Sequence, residues 1–262
     1  MSLASDRFAR VAGRIQDRHH AFMKILPVRR LVLPLLAVVF ASATAGCLDS
    51  VAQRKAASEI KQLLPQYLGP ADSYEVQVEG SANQIRKGMI ENIHVVGINL
   101  QPFDLPQLSR IEADIKNIHV DMGNKTIISS DLAEWVGWMS EDVATELLRE
   151  KVSYIKDVKA ELQTGVVWVS GKVTIKGIGP TARVEARPAV RKDREIWMSP
   201  TKVQSYGVGV DVPDWGQKRV DPFINPIFVI PDNRLQIRLK TLKSEPKMLK
   251  MTGTFNPMGF NP

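Results

Sequence analysis

The sequence predicts an α+β domain, an elongated and curved antiparallel β-sheet wrapped around a few helices. Three observations carry that expectation. Segment after segment beyond residue 73 alternates apolar and polar side chains with a period of two. Each of these strands is polar along one face, as in an antiparallel sheet with one face in water. Helical spacing of apolar residues is confined to a few short stretches.

The elements follow in chain order. From Leu48 to Leu64 the apolar positions Val51, Ala56, Ile60, Leu63 and Leu64 recur near helical spacing, which predicts an amphipathic helix stopped by Pro65 and Gly69-Pro70. In 74–80, Tyr74, Val76 and Val78 point one way and Glu75, Gln77 and Glu79 the other, a half-buried strand. Ile111, Ala113 and Ile115 alternate likewise until the parity shifts at Asn117 to Ile118, Val120 and Met122, which predicts a bulge that re-aims the strand. Asn92-Ile-His-Val95 recurs as Asn117-Ile-His-Val120, a spacing suited to neighbouring antiparallel strands.

Further along, 129–139 and 140–149 predict two short helices, with Ser or Asp caps and acidic first turns. Val167, Val169, Val173 and Ile175 share a parity, as do Ala182, Val184, Ala186 and Val190, and then Leu235, Ile237 and Leu239. The proline-rich segment from Val212 to Phe228 reads as a short helix or a lid-like loop. Strands of ten residues or more, at ~3.3 Å per residue, make a sheet on the order of 30 Å long, hence the expected elongation.

The N-terminal 46 residues read as an extension and an export signal, ahead of a single domain over 47–262. Lys24, Arg29 and Arg30 form a basic region, Leu31 to Phe40 an apolar run, and 41–46 a string of small residues. Ala45-Gly46-Cys47 resembles a lipoprotein cleavage site, with Cys47 as the lipidated residue. Export to the cell envelope and membrane attachment through Cys47 are therefore expected. The signal is complete from Met23 onward, which makes Met23 the expected start and leaves residues 1–22 outside it. The run is shorter than the ~20 apolar residues of a spanning helix and contains Pro34.

Residues 1–46 hold seven of the 35 Lys and Arg and two of the 28 Asp and Glu, so the net charge falls from +7 to +2 without them. The basic character belongs mostly to targeting and gives no argument for nucleic-acid binding. Cys47 is the only cysteine, which excludes an intrachain disulfide and a multi-thiolate metal site. No metalloprotease, nucleophile-elbow, phosphate-loop or C-x-x-C motif occurs. His94 and His119, with Glu91 or Asp121 as conceivable partners, read as residues on the polar face of a sheet. No catalytic role, metal or cofactor is expected.

Two basic clusters, Arg183 to Arg194 and Arg238 to Lys250, read mainly as solvated strand faces that would also suit anionic headgroups. A curved sheet with one apolar face and few covering helices leaves room for acyl chains. The candidates to line that groove are Trp135, Trp138, Met139, Val143, Leu147, Phe223, Ile224, Ile227 and Phe228.

The helix ending Ile60-Lys-Gln-Leu-Leu64, the strand from Gly88 to Gly97 and the Ile127–Leu132 segment occur in an order that resembles the LmeA-like phospholipid-binding family of bacterial envelope proteins. Gly171–Ile175 and the stretch from Asn225-Pro226 through Val229-Ile-Pro231 to Leu239 continue the likeness, which spans roughly Val51 to Thr254. The resemblance implies a body similar to one half of the tubular lipid-binding proteins, such as bactericidal/permeability-increasing protein, and lipid binding rather than turnover. The expected ligand is a phospholipid or glycolipid held by its acyl chains. The alternative is an envelope scaffold that docks an enzyme or assembly machine with the same surface.

Overall fold

A computed structural model describes residues 48–261 except 104, 122, 125, 153, 154, 174–180, 206 and 207, and gives the backbone alone for Leu48, Val173, Val220 and Phe223. The export signal, Cys47, Met122 and Ile175 lie outside the described residues.

Helix α1 spans Leu48–Tyr67 and runs three residues past the predicted end at Leu64. Pro65 lies in its last turn, where proline costs one intrahelical bond, and the Leu68 N–H still donates to the Leu64 carbonyl at 2.8 Å. Strand β1, Ser73–Glu79, shows the predicted alternation, with Tyr74 and Val78 buried. Helix α2, Ala82–Arg86, starts on a capping box between Ser81 and Gln84.

Strands β2, Met89–Leu100, and β3, Leu108–Asp121, pair antiparallel. Their inward residues meet two by two: Ile90 with Ile118, Ile93 with Ile115, Val95 with Ala113, Gly97 with Ile111, Leu100 with Leu108. The parity shift at Asn117 is present, but it is made by a left-handed backbone at Asn117 (φ 51°), with the β2–β3 register kept on both sides. Asn99 (φ 48°) accompanies a second shift near the other end of β2.

Strand β4, Thr126–Ser129, pairs with β3 and is followed by β5, Ala133–Ser140. The first of the two helices expected after Ser129 is therefore a strand. Ala133, Trp135, Gly137 and Met139 are buried while Glu134, Val136, Trp138 and Ser140 take the other face, so the pattern has period two. Bonding partners on both sides, β3 and the strand Met248–Phe255 (β13), satisfy the backbone of β5 in the sheet. The second expected helix forms as α3, Glu141–Lys151, capped by Ser140, whose hydroxyl accepts from the Val143 N–H.

The remaining strands are β6 (Ile155–Gln163), β7 (Val166–Val173), β8 (Thr181–Arg191), β9 (Glu195–Ser205), β10 (Val208–Asp211), β11 (Phe228–Val229), β12 (Arg238–Glu245) and β13 (Met248–Phe255). Helix α4, Asp214–Ile224, settles the proline-rich segment as a helix, and a 3-10 helix spans Pro257–Phe260. The strand expected from Leu235 begins only at Arg238, because the chain turns first, with Gln236 at φ 49°.

The class is α+β with antiparallel pairing throughout, but two open sheets replace the single sheet expected. The first has the order β1-β2-β3-β5-β13-β12 with β4 beside β3; the second runs β10-β9-β8-β7-β6 with β11 beside β9. They meet at β12, which packs against β6, β7 and β8. The Ser244 hydroxyl donates to the Val166 carbonyl at 2.9 Å, and the Gly165 and Lys247 N–H groups donate to the carbonyls of Ser244 and Leu162.

Candidate functional site

Helix α1 lies across the inner face of the first sheet and presents Ala52, Ala56, Ala57 and Ile60 toward it. Between the helix and the sheet a cavity of about 200 Å³ remains. That is below the ~300 Å³ at which ligand pockets commonly begin, a size for a slender chain rather than a bulky ring system. Ala56, Ile60, Leu63, Leu64 and Tyr67 line it from α1; Ile90, Ile93 and Val95 from β2; Ala113, Ile115, Ile118 and Val120 from β3. Phe255, Pro257, Phe260 and Ile127 close one side. The Phe260 ring meets Tyr67 edge-on at 5.2 Å and Phe255 at 5.9 Å.

Polar groups at this cavity are few. The Asn261 amide is spent on Ile127, accepting from its N–H at 2.7 Å and donating to its carbonyl at 2.9 Å. Glu59 is the one carboxylate on the wall; desolvation pushes its pKa up, and the positive charge of Lys55 one turn earlier opposes that shift. At the far end of α1, Tyr74 donates to the Gly69 carbonyl at 2.7 Å, and burial pushes its phenol up to about 12, so it stays a neutral donor.

A second cavity of about 40 Å³ adjoins the first and shares Tyr67, Leu68, Ala113 and Phe255 with it. Trp135, Leu100, Ile111, Leu235 and Ile237 also line it, and Phe103, 66% exposed, stands at its rim. The Trp135 indole lies over two glycines. A methyl group on Gly137 would come within 2.9 Å of Trp135 Cζ3, and one on Gly253 within 2.7 Å of Nε1. Glycine at 137 leaves room for the ring, whereas at Gly253 the Arg238 carbonyl comes closer than the indole and excludes a side chain together with it.

Of the groove candidates chosen from the sequence whose side chains are described, Trp135 lines the smaller of these two cavities and the others line neither. Trp138 has the opposite parity and sits on the polar face, with Arg110 6.0 Å and Lys250 5.5 Å from its ring. Met139 is buried core, and Val143 and Leu147 on α3 pack against that core. Ile224, Ile227 and Phe228 lie near β9, whose Ile196 pairs with Phe228. Phe223 falls in α4, and its side chain is outside the described residues. The inward residues of β3 were legible as one apolar face, but neither they nor those of β2 were legible as a cavity wall.

The basic clusters are largely engaged on outer faces. Arg183 pairs with Glu161 and stacks on Trp168, Arg191 lies 3.9 Å from the Trp197 ring centre, Arg194 pairs with Asp232, and Lys240 pairs with Glu134. His94 Nδ1 lies 2.8 Å from Asp114 Oδ1, so its partner is neither Glu91 nor Asp121. Among the described residues no three His, Cys, Asp or Glu side chains are grouped to hold a metal ion, and no helix is long and apolar enough to cross a membrane.

No curated protein and no solved structure matches this chain. The model of the LmeA-like phospholipid-binding family nonetheless matches residues 43–254, and the chain belongs to that family.

Proposed function

We propose that this protein holds a phospholipid or glycolipid by an acyl chain in the cavity between α1 and the first sheet, without covalent chemistry. The observation that carries this reading is the lining of that cavity, apolar from α1, β2, β3 and the C-terminal 3-10 helix, in a member of a phospholipid-binding family. Burying a chain there gains ~25 cal/mol per Å² of apolar surface removed from water, and nothing on the wall beyond Glu59 and Asn261 imposes a large desolvation cost. The two open sheets then serve as a half-barrel similar to one half of a tubular lipid-binding protein.

The protein works at the envelope, exported by the signal in 23–46 and tethered through a lipidated Cys47. Cys47 directly precedes α1, so a tether there delivers the helix that covers the groove to the membrane surface.

Native mass spectrometry of protein purified in mild detergent tests the ligand, with a copurifying lipid expected and delipidated protein taking up one labelled lipid per chain. No uptake, together with a robust protein partner, would favour an envelope scaffold instead. Cys47→Ser tests the tether and should release the protein from membranes. If that variant stays bound and the wild type carries no lipid mass at Cys47, the tether is elsewhere. Deleting residues 1–22 should leave export intact.

A further inference from the structure

We propose that Phe255 and Tyr67 set the length of acyl chain that this groove accepts, by forming the partition at which a chain in the larger cavity ends. The inference rests on the lipid-holding reading above and goes beyond it by naming the residues that select among chains.

Tyr67, Leu68, Ala113 and Phe255 line both cavities, so they form the wall between the two. Ala113 belongs to the floor and is the smallest inward residue of β3, standing between Ile111 and Ile115. The barrier above it comes from larger side chains that reach in from β13 and from the end of α1. Phe255 is buried, its ring meets Phe260 edge-on at 5.9 Å, and Phe260 meets Tyr67 in the same way at 5.2 Å. Three rings braced against one another leave little freedom for any of them to swing aside for a passing methyl group.

The floor of the larger cavity shows which way a chain would enter. Beside the partition it is deeply buried, with Val95 2% and Ala113 3% exposed; at the other end Ile90 and Val120, with Ala56 of α1 and Ile127 of β4, are partly exposed. Glu59, the carboxylate on the wall, lies within one turn of Ala56 on that same end of the helix. A lipid that keeps its headgroup in water there runs its chain inward over Ile93, Ile115 and Val95, and its methyl end comes against Phe255 and Tyr67. From Ala56 to Tyr67 this path follows α1 for about 16 Å, at the usual helical rise. Beyond the partition the smaller cavity is apolar as well, lined by Leu100, Ile111, Trp135, Leu235 and Ile237, so taking the partition away adds space that a longer chain can use.

The test measures binding of saturated lysophosphatidylcholines, from decanoyl to stearoyl and each below its micelle concentration, to delipidated wild type, Phe255→Ala and Tyr67→Ala. Wild-type affinity should rise about fourfold for each methylene added, the worth of one buried CH₂, and level off once the chain reaches the partition. In Phe255→Ala the levelling should move to the next longer member or beyond, with affinity for the stearoyl lipid raised roughly tenfold over wild type. Tyr67→Ala opens the same partition from the helix side and should move the levelling in the same direction; its partly exposed site in the last turn of α1 keeps the test decisive if Phe255→Ala, which empties a buried site, does not fold. Wild-type affinity that climbs evenly through the stearoyl member, or a levelling point that stays in place in every variant that folds, overturns the assignment while leaving lipid holding intact. Binding of no member by the wild type removes the lipid-holding reading, and the partition with it.

Discussion

Helices α1 and α3 each cover one of the two sheets, and they do so by different means. Helix α3 is joined to β6 by polar bonds along its length. The Glu141 carboxylate accepts from the Leu162 N–H at 2.8 Å, and the Thr145 hydroxyl accepts from the Ala160 N–H at 3.0 Å. Ala144 and, one turn further on, Leu148 are buried. Helix α1 has polar ties near its first turns, where Asp49 accepts from the Ala82 N–H at 2.7 Å and Gln53 donates to the Gly80 carbonyl at 2.9 Å. Its later turns, from Ala56 to Tyr67, stand over a cavity. The difference separates two jobs. A cover bonded at several points to a filled core fixes that core; one with a cavity beneath its later turns leaves room that a ligand can take.

Four measurements break or sharpen that comparison. The largest effect is expected at Asn225, at the end of α4, which clamps β9 by accepting from the Met198 N–H at 2.7 Å and donating to the Met198 carbonyl at 3.0 Å. Asn225→Ala strands both backbone groups in a buried site and should cost about 2–4 kcal/mol in denaturant unfolding. A loss below about 0.5 kcal/mol would mean that the second sheet is not held in this way.

Next come matched substitutions in the two helices. Ala144→Leu overpacks a filled site and should lower stability by about 1–3 kcal/mol. Ala56→Leu places the same atoms in the cavity, so stability should stay within about 1 kcal/mol of wild type while lipid uptake falls sharply. Similar destabilisation in both would erase the distinction between the covers.

A smaller effect is expected at Trp138, the outer-face counterpart of Trp135. Trp138→Phe weakens its contacts with Arg110 and Lys250, worth about 0.5–1 kcal/mol at an exposed site, and should leave lipid uptake unchanged. Reduced uptake at full stability would place the groove on the wrong face of the sheet.

The smallest concerns Glu59. Its raised pKa means that the folded chain holds this proton more tightly than the unfolded chain. The resulting stabilisation is present in full below the ordinary glutamate pKa and is lost as the pH rises through the raised value. Glu59→Gln should remove this dependence, seen as a flatter unfolding midpoint between mildly acidic and neutral pH; solvent screening keeps it small. An identical pH profile in the variant would show that the carboxylate is not desolvated by the groove.

Local patterning was enough to place β1, the inward face of β3, the helices α1 and α3, and the parity shift at Asn117, because burial on one face of a strand or helix writes its period into the sequence. The segment 133–140 was not legible as a strand. Its acidic and Ser or Asp flanks look like helix caps, and only the presence of β3 and β13 on either side makes the extended form the one that satisfies its backbone.

By itself the sequence determined the antiparallel α+β character and the apolar face that a lipid binder needs, since both depend on the order of side chains along the chain. The division into two sheets and the face on which each tryptophan lies were decided only by the tertiary structure. So was the position of the cavity beneath α1. Each of these depends on which distant strands pair and on what volume is left between packed elements, and neither strand partners nor unfilled space leaves a period in the sequence.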